Sequence, residues 1–257
     1  MNDTTAIILA AGLGVRMGPR GKLYPKGLIE MGGETMAAQS LATLRAFGIG
    51  RVRIVTGHLA EQYREAFGAE RDVELIHNPL YDSTGSLQTL ATALDGLDGD
   101  VVILESDLVY APEALEAALA PGNRLVTSGP TGAGDEVYVW AGDEGHLQEI
   151  SKIADARPEP HLGELVGITK LEAAAVPEMR RAVEDVLADV PAEHYEPGLV
   201  ELGRRVPVPC IRLDDLPWAE VDDEAMLARA ERVVFPRIAA ARAAHPRMPA
   251  AATAGQG

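Results

Sequence analysis

The sequence predicts an α/β fold, a mostly parallel mixed sheet flanked by helices in a single domain. Three observations carry this reading. Short apolar runs alternate with segments of helical periodicity through the first half of the chain, the pattern of strands covered on both faces and joined by crossover helices. The first run ends directly in a glycine-rich loop, as a buried parallel strand does at a ligand-binding edge. No linker divides the 257 residues, a length that fits one large α/β domain.

The elements follow in order. Residues 6–10 are an unbroken apolar strand. Residues 34–47 place Met36, Leu41, Leu44 and Phe47 at helical spacing, and Gly48 stops the helix. Residues 52–56 read as a strand, 61–67 as a short helix and 73–76 as a strand that Asn78-Pro79 breaks. Residues 86–97 are helical, 101–104 form a fourth strand, and 112–119 a helix with Pro112 in its first turn. From Leu125 the rhythm changes. Residues 125–127, 137–140 and 165–168 are strands with loop-rich connections, and 177–190 and 223–240 are helices. The domain is expected to span 1–245. The Ala-, Pro- and Gly-rich segment 246–257 is expected to be a disordered tail.

Composition narrows the function. With 39 acidic and 23 basic side chains the net charge is −16, which repels nucleic acid and anionic membranes. Any anion site must concentrate positive charge locally. Cys210 is the only cysteine, so no internal disulfide forms and a reducing, cytoplasmic setting is expected. Its apolar neighbours make it a buried strand thiol rather than a nucleophile. No apolar run approaches a membrane span, and no signal peptide is expected. His58, His77 and His194 have no metal-like partner spacing.

The segment from Ala10 to Lys26 is the most informative. Gly12 and Gly14 fit the start of a dinucleotide fingerprint, but its third glycine position holds Met17. Gly21-Lys22 is followed by Leu23, and the upstream position is Arg16, so no P-loop is present. What remains is a loop with Arg16, Arg20, Lys22 and Lys26 and no acid before Glu30. In so acidic a chain this reversal of sign suits a triphosphate.

Two acidic groups complement it. Glu105 and Asp107 end the fourth strand, and period-two geometry sends both to one side. Glu220, Asp222 and Asp223 precede the last long helix. Magnesium takes one or two carboxylates plus substrate phosphates, so acids from two distant segments suit a magnesium–nucleotide site. Alternatively, Asp107 is an ordinary loop acid, and Asp222 or Asp223 a helix N-cap.

Ala10-Ala11-Gly12-Leu13-Gly14-Val15-Arg16-Met17-Gly18, followed by Pro25-Lys26, resembles the signature of the nucleotidyltransferases with a Rossmann-like, GT-A-type fold. The resemblance implies that Ala11, Gly12, Gly14, Arg16, Lys26 and Ser86 bind the nucleotide. Arg16 and Lys26 are then the catalytic cations, and Asp107 and Asp222 hold Mg²⁺. Asp223 is left as the cap. Trp218 to Asp222, with Gly163 to Ile168, is most similar to the cytidylyltransferases acting on phosphocholine or 2-aminoethylphosphonate. Ser83 to Leu87 and Glu105 to Leu108 resemble the phosphonate members. The implied reaction moves CMP from CTP to a small phosphonate and releases pyrophosphate.

Candidate acceptor contacts are Lys152 for the phosphonate, Glu164 or Asp135 for an ammonium, and Trp218. With two Trp, six Tyr and three Phe, an aromatic cage for choline is not obvious. The alternatives are phosphocholine or a sugar 1-phosphate as acceptor, and a non-catalytic nucleotide-binding regulatory protein. The expected partners are small molecules, with neither nucleic acid nor membrane. A homodimer is compatible with the sequence but not read from it.

Overall fold

The computed structural model describes residues 4–249. Its centre is a nine-stranded sheet made of β1 (Thr5–Ala10), β2 (Val52–Thr56), β3 (Val73–His77), β4 (Val101–Glu105), β5 (Arg124–Ser128), β6 (Tyr138–Ala141), β7 (Leu147–Ser151), β8 (Gly163–Leu171) and β9 (Cys210–Leu213). β3, β2, β1 and β4 lie side by side and parallel. β8 joins β4 antiparallel and pairs antiparallel with both β5 and β6. β7 extends the sheet beyond β6, and β9 runs parallel to β5. The mostly parallel, mixed sheet is therefore present, with its antiparallel part where the sequence rhythm changes.

The helices are α1 (Met36–Ala46), α2 (Ala60–Phe67), α3 (Ser86–Leu94), α4 (Pro112–Ala118), α5 (Val176–Asp189), α6 (Glu196–Gly203), α7 (Glu224–Arg229) and α8 (Phe235–Ala244). Both faces of the sheet are covered. Ile7 and Leu9 of β1 enter a core shared with Leu87 and Leu90 of α3 and Met179 of α5. Ala6, Ile8 and Ala10 point the other way, to Leu41 and Leu44 of α1 and Leu115 of α4. This alternation along one strand explains its continuous apolar run. A third, smaller core joins Met17 of the glycine-rich loop to Met36, Val221, Leu227 and Ile238. It anchors that loop to the C-terminal helices.

Three helical segments differ from expectation. The helix expected over 223–240 is interrupted: α7 passes into a π turn at Ala230–Val234 before α8 begins. Pro236 lies in the first turn of α8. It has no N–H to give and its ring would meet the carbonyl four residues earlier, so the wider turn accommodates it. α3 ends at Leu94, three residues early, where Asp95 leaves helical geometry and Gly96 turns at φ 66°. α6 is an element that the periodicity did not mark, and it holds Pro197-Gly198 near its start. Proline is tolerated in a first turn, and Gly198 lies under Leu87, where a Cβ would come within 2.6 Å.

Of the expected tail, residues 250–257 lie outside the described residues. Nearer the domain, the Arg247 guanidinium sits 5.3 Å over the Phe47 ring. Among the described residues, no helix is long and apolar enough to cross a membrane.

Candidate active site

The glycine-rich loop leaves β1 at its carboxyl end, at the middle of the parallel strands. Gly14, at φ 61°, starts the short turn Val15–Met17, a conformation costly for other residues. Met17 is fully buried and fixes the turn, leaving Arg16 to project outward. His58 bonds the Gly21 carbonyl at 2.9 Å and steadies the far side of the loop. Pro25 then sets the chain into the turn Lys26–Leu28.

The two distant acids meet for a simple reason. Leu108–Tyr110 pairs antiparallel with Trp218–Glu220 in a two-stranded ribbon beside the main sheet. Val221 N donates to the Asp107 carbonyl at 3.0 Å. One ribbon thus carries the residue before it, Asp107, and the residue two beyond it, Asp222, to the same place. Both are buried, at 5% and 2% exposed. Asp223 turns away and caps α7, accepting from Met226 N at 2.7 Å, which assigns the cap and leaves Asp222 facing the site.

Lys26 joins the two acids. Its Nζ lies against Asp107 and at 2.6 Å from Asp222 Oδ1. Burial works against the ammonium, but the charges of Asp107 and Asp222 outweigh it and hold its pKa above the ordinary lysine value. Arg16 reaches Asp222 Oδ2 at 2.5 Å with one nitrogen and Asp135 with another.

These groups edge a cavity of about 280 Å³. Of the expected site residues, Ala11, Gly12, Arg16, Lys26, Ser86, Asp107, Lys152 and Asp222 line it. Gly14 acts one step back, in the loop turn. Glu164, Asp135 and Trp218 are not brought to this cavity. Glu164 is buried, and both its oxygens accept from Thr131 N, at 3.0 and 3.1 Å. Asp135 is taken by Arg16 and by Lys152, the latter at 3.0 Å. Trp218 is buried beside a separate small void near Arg229. Trp140 donates to the Glu159 carbonyl at 2.9 Å, away from the cavity.

Sequence reasoning left Tyr195 and Glu196 unnamed, and named Glu105 and Glu220 only as neighbours of Asp107 and Asp222. All four line the cavity. Carboxylate oxygens of Glu105, Asp107 and Glu220 lie within 4.8 Å of one another. Tyr195 donates to Glu105 Oε1 at 2.7 Å. Burial, then the charges of Asp107 and Glu196, push the Glu105 carboxyl up to about 8. Burial, then the charges of Glu105, Asp107 and Asp222, raise Glu220 well above the usual range. Gly167 makes room for Glu105: it bends β8 at φ 78°, and a Cβ there would stand 2.8 Å from Glu105 Oε1. The repeated spacing Glu105-x-Asp107 and Glu220-x-Asp222 was the legible signal for the two missed or half-missed acids.

The lining therefore holds five carboxylates, those of Glu105, Asp107, Glu196, Glu220 and Asp222, against three fixed cations, Arg16, Lys26 and Lys152. Added positive charge beside these acids, as protons or as a cation, favours an anion on the cations. Asp107 and Asp222 offer buried carboxylate oxygens from two segments, converging on the Lys26 ammonium where a cation is already accommodated, so these residues fit a hard divalent cation. Cys210 stays apart, its thiol pushed up to about 12 by burial.

Comparison with known proteins shows the family and the fold. Residues 6–175 match the MobA-like NTP transferase domain. The chain is 32% identical over 232 residues to the CMP-5'-(3-aminopropyl)phosphonate synthase of Streptomyces rubellomurinus, covering 85% of this chain and 37% of that protein. It is 37% identical over 111 residues to the 2-aminoethylphosphonate cytidylyltransferase of Lancefieldella rimae, covering 43% of this chain and 45% of that one. The matched segments thus span under half the length of both relatives. Among solved structures, the CTP:phosphocholine cytidylyltransferase of Streptococcus pneumoniae superposes with a TM-score of 0.71 at 19% identity, covering 90% of this chain and 98% of that one. The inositol-1-phosphate CTP transferase of T. maritima gives 0.74 at 15% identity, covering 93% and 96%. At those identities the likeness is one of fold.

Proposed function

The chain belongs to the MobA-like NTP transferase domain family, and from that premise we propose that it transfers CMP from CTP to a small aminophosphonate in a Mg²⁺-dependent reaction. The observation that carries the proposal is the pairing of both signs of charge in one cavity. Arg16, Lys26 and Lys152 line it together with Glu105, Glu196 and Glu220, and burial and mutual repulsion crowd those acids. A triphosphate and a phosphonate satisfy the cations. An acceptor ammonium suits the crowded acids, whose mutual repulsion it relieves. The names of the two aminophosphonate relatives support the same acceptor class.

The chain's own residues do the positioning. The loop backbone at Ala11 and Gly12 and the start of α3 at Ser86 receive the nucleoside end. Lys26 and Arg16 bind the phosphates, and Lys152 holds the acceptor phosphonate. An Mg²⁺ ion held by Asp107 and Asp222 would neutralise charge on the transferred group. A phosphonate oxygen bonds to the α-phosphorus as the bond to the pyrophosphate oxygen breaks, and pyrophosphate leaves with that electron pair. The attacking oxygen is already anionic near neutral pH, so no general base is needed and catalysis rests on alignment and charge neutralisation. The half-buried, unpaired Cys210 supports a reducing, cytoplasmic setting.

A pyrophosphate-release panel tests this. CTP, UTP, GTP and ATP are each combined with 2-aminoethylphosphonate, phosphocholine and a sugar 1-phosphate, with and without Mg²⁺. The expected result is turnover with CTP and the aminophosphonate, abolished by chelation. Preference for a sugar phosphate with UTP or GTP would overturn the acceptor and donor. Binding of CTP without turnover on any acceptor would point to the non-catalytic alternative.

A further inference from the structure

Asp135 lies outside the cavity lining, yet it holds two of the three cations inside it. One carboxylate oxygen meets the Arg16 guanidinium, and the other lies 3.0 Å from Lys152 Nζ. Arg16 comes from the loop after β1, and Lys152 follows β7. Asp135 sits between β5 and β6, on a third segment. A single side chain therefore spans the nucleotide side and the acceptor side.

The segment bearing Asp135 is held unequally along its length. At its root, Thr131 N donates to buried Glu164, and the Thr131 carbonyl accepts from Arg229 at 2.6 Å. At its tip, the contacts to Arg16 and Lys152 are ion pairs whose cations are 54% and 53% exposed. Gly132 and Gly134, at φ 63° and 93°, lie between root and tip. The tip can leave while the root stays. Exposed pairs of this kind are worth little each, so they can be exchanged for a better anion.

We infer that Asp135 is a positioning residue that stands in for substrate anions, holding Arg16 and Lys152 until phosphate groups displace it. The inference rests on the nucleotide-binding reading of this site. It gives the site a threshold. An anion takes Arg16 only by outcompeting Asp135, and Lys152 only by doing the same. A ligand with several phosphate charges passes readily, whereas a lone phosphate gains little. Asp135 thus sets the affinity that any anion must bring to the site, without touching that anion in the bound state.

The test is equilibrium binding of CTP and of inorganic phosphate to the intact protein, by calorimetry, in wild type, Asp135→Asn and Asp135→Glu. Asparagine keeps the shape and removes the charge. The expected result is CTP binding about fivefold tighter in Asp135→Asn, since two half-exposed ion pairs no longer compete. Inorganic phosphate should tighten by a similar factor, and Asp135→Glu should return both values to within about twofold of wild type, as restored competition requires. A purely structural role would instead weaken binding and lower the unfolding midpoint. Unchanged or weaker CTP binding in Asp135→Asn, at a wild-type midpoint, overturns the inference while leaving the nucleotide reading intact. Absence of CTP binding in wild type overturns both.

Discussion

Replacing Lys26 by methionine tests the centre of the site. In the ligand-free protein the Lys26 side chain is 18% exposed and lies between Asp107 and Asp222, 7% and 2% exposed. Methionine keeps the apolar stem and removes the charge. Two nearly dry carboxylates then lose their shared counter-charge. Removing one partner of a buried pair costs about 3–5 kcal/mol. Because Asp222 keeps Arg16 at 2.5 Å, the lower end applies, about 3 kcal/mol. For a chain of this size that lowers the unfolding midpoint by roughly 6–10 °C. The same carboxylates are the proposed Mg²⁺ ligands. In wild type an incoming ion must displace Lys26, and in the variant it need not. Added MgCl₂ should therefore raise the midpoint of Lys26→Met more than that of wild type, and calorimetry should find tighter Mg²⁺ binding without nucleotide. Pyrophosphate release should nonetheless fall by about 10²-fold or more, because a cation aimed at the phosphates is gone. Scanning calorimetry across a MgCl₂ series checks the first part and the pyrophosphate assay the second. A variant that unfolds with wild-type midpoint and wild-type response to Mg²⁺ would refute the reasoning, since the ammonium would not be the counter-charge of those acids.

Three further outcomes are expected. Asp222→Asn should lower turnover by about 10²–10³-fold, whereas Asp223→Ala should cost about 1 kcal/mol of stability as a lost cap; the reverse pattern in kinetics and melting would reassign the metal ligand. Glu105 titrates at about 8 in the folded chain against an ordinary 4.5, so the folded state binds its proton more tightly than the unfolded state does. That contribution to stability is full below about pH 4.5 and is lost as pH rises to about 8. Midpoints measured over this window should fall less for Glu105→Gln than for wild type, and parallel curves would contradict the assignment. Gly167→Ala should strain the backbone and press on Glu105, lowering stability by about 1–3 kcal/mol and raising KM for the aminophosphonate more than KM for CTP; equal effects on both would remove Gly167 from the acceptor side.

The fold was legible where one physical rule decides. Ile7, Ile8 and Leu9 read as a strand buried on both faces, and Met36, Leu41 and Leu44 at helical spacing mark α1; its start lies two residues later than the pattern puts it, because Thr35 caps it by accepting from Ala38 N at 3.2 Å. Legibility failed where a local signal depends on its position in an element. Pro197 and Pro236 are both breakers by type, yet each sits in a first turn. Only the second distorts its surroundings, because a helical segment precedes it and must widen.

The site divides in the same way. The cations were readable because Arg16 and Lys26 are close in sequence and no acid intervenes. The acids required a contact that sequence spacing does not contain: the pairing of Leu108–Tyr110 with Trp218–Glu220. Once that ribbon exists, its geometry fixes more than the metal ligands. Glu220 faces the site with Glu105 as surely as Asp222 faces it with Asp107, because residues two apart share a side. The expected ammonium contacts, Glu164 and Asp135, failed to reach the cavity because each already has partners within the chain, Thr131 for one and Arg16 with Lys152 for the other. A carboxylate available to a substrate cation must face the cavity and lack a counter-charge of its own. Glu105 and Glu220 face it, and although Tyr195 donates to Glu105, burial and the acids around them leave both with raised proton affinity. Their raised affinity for protons is the measure of that want of positive charge.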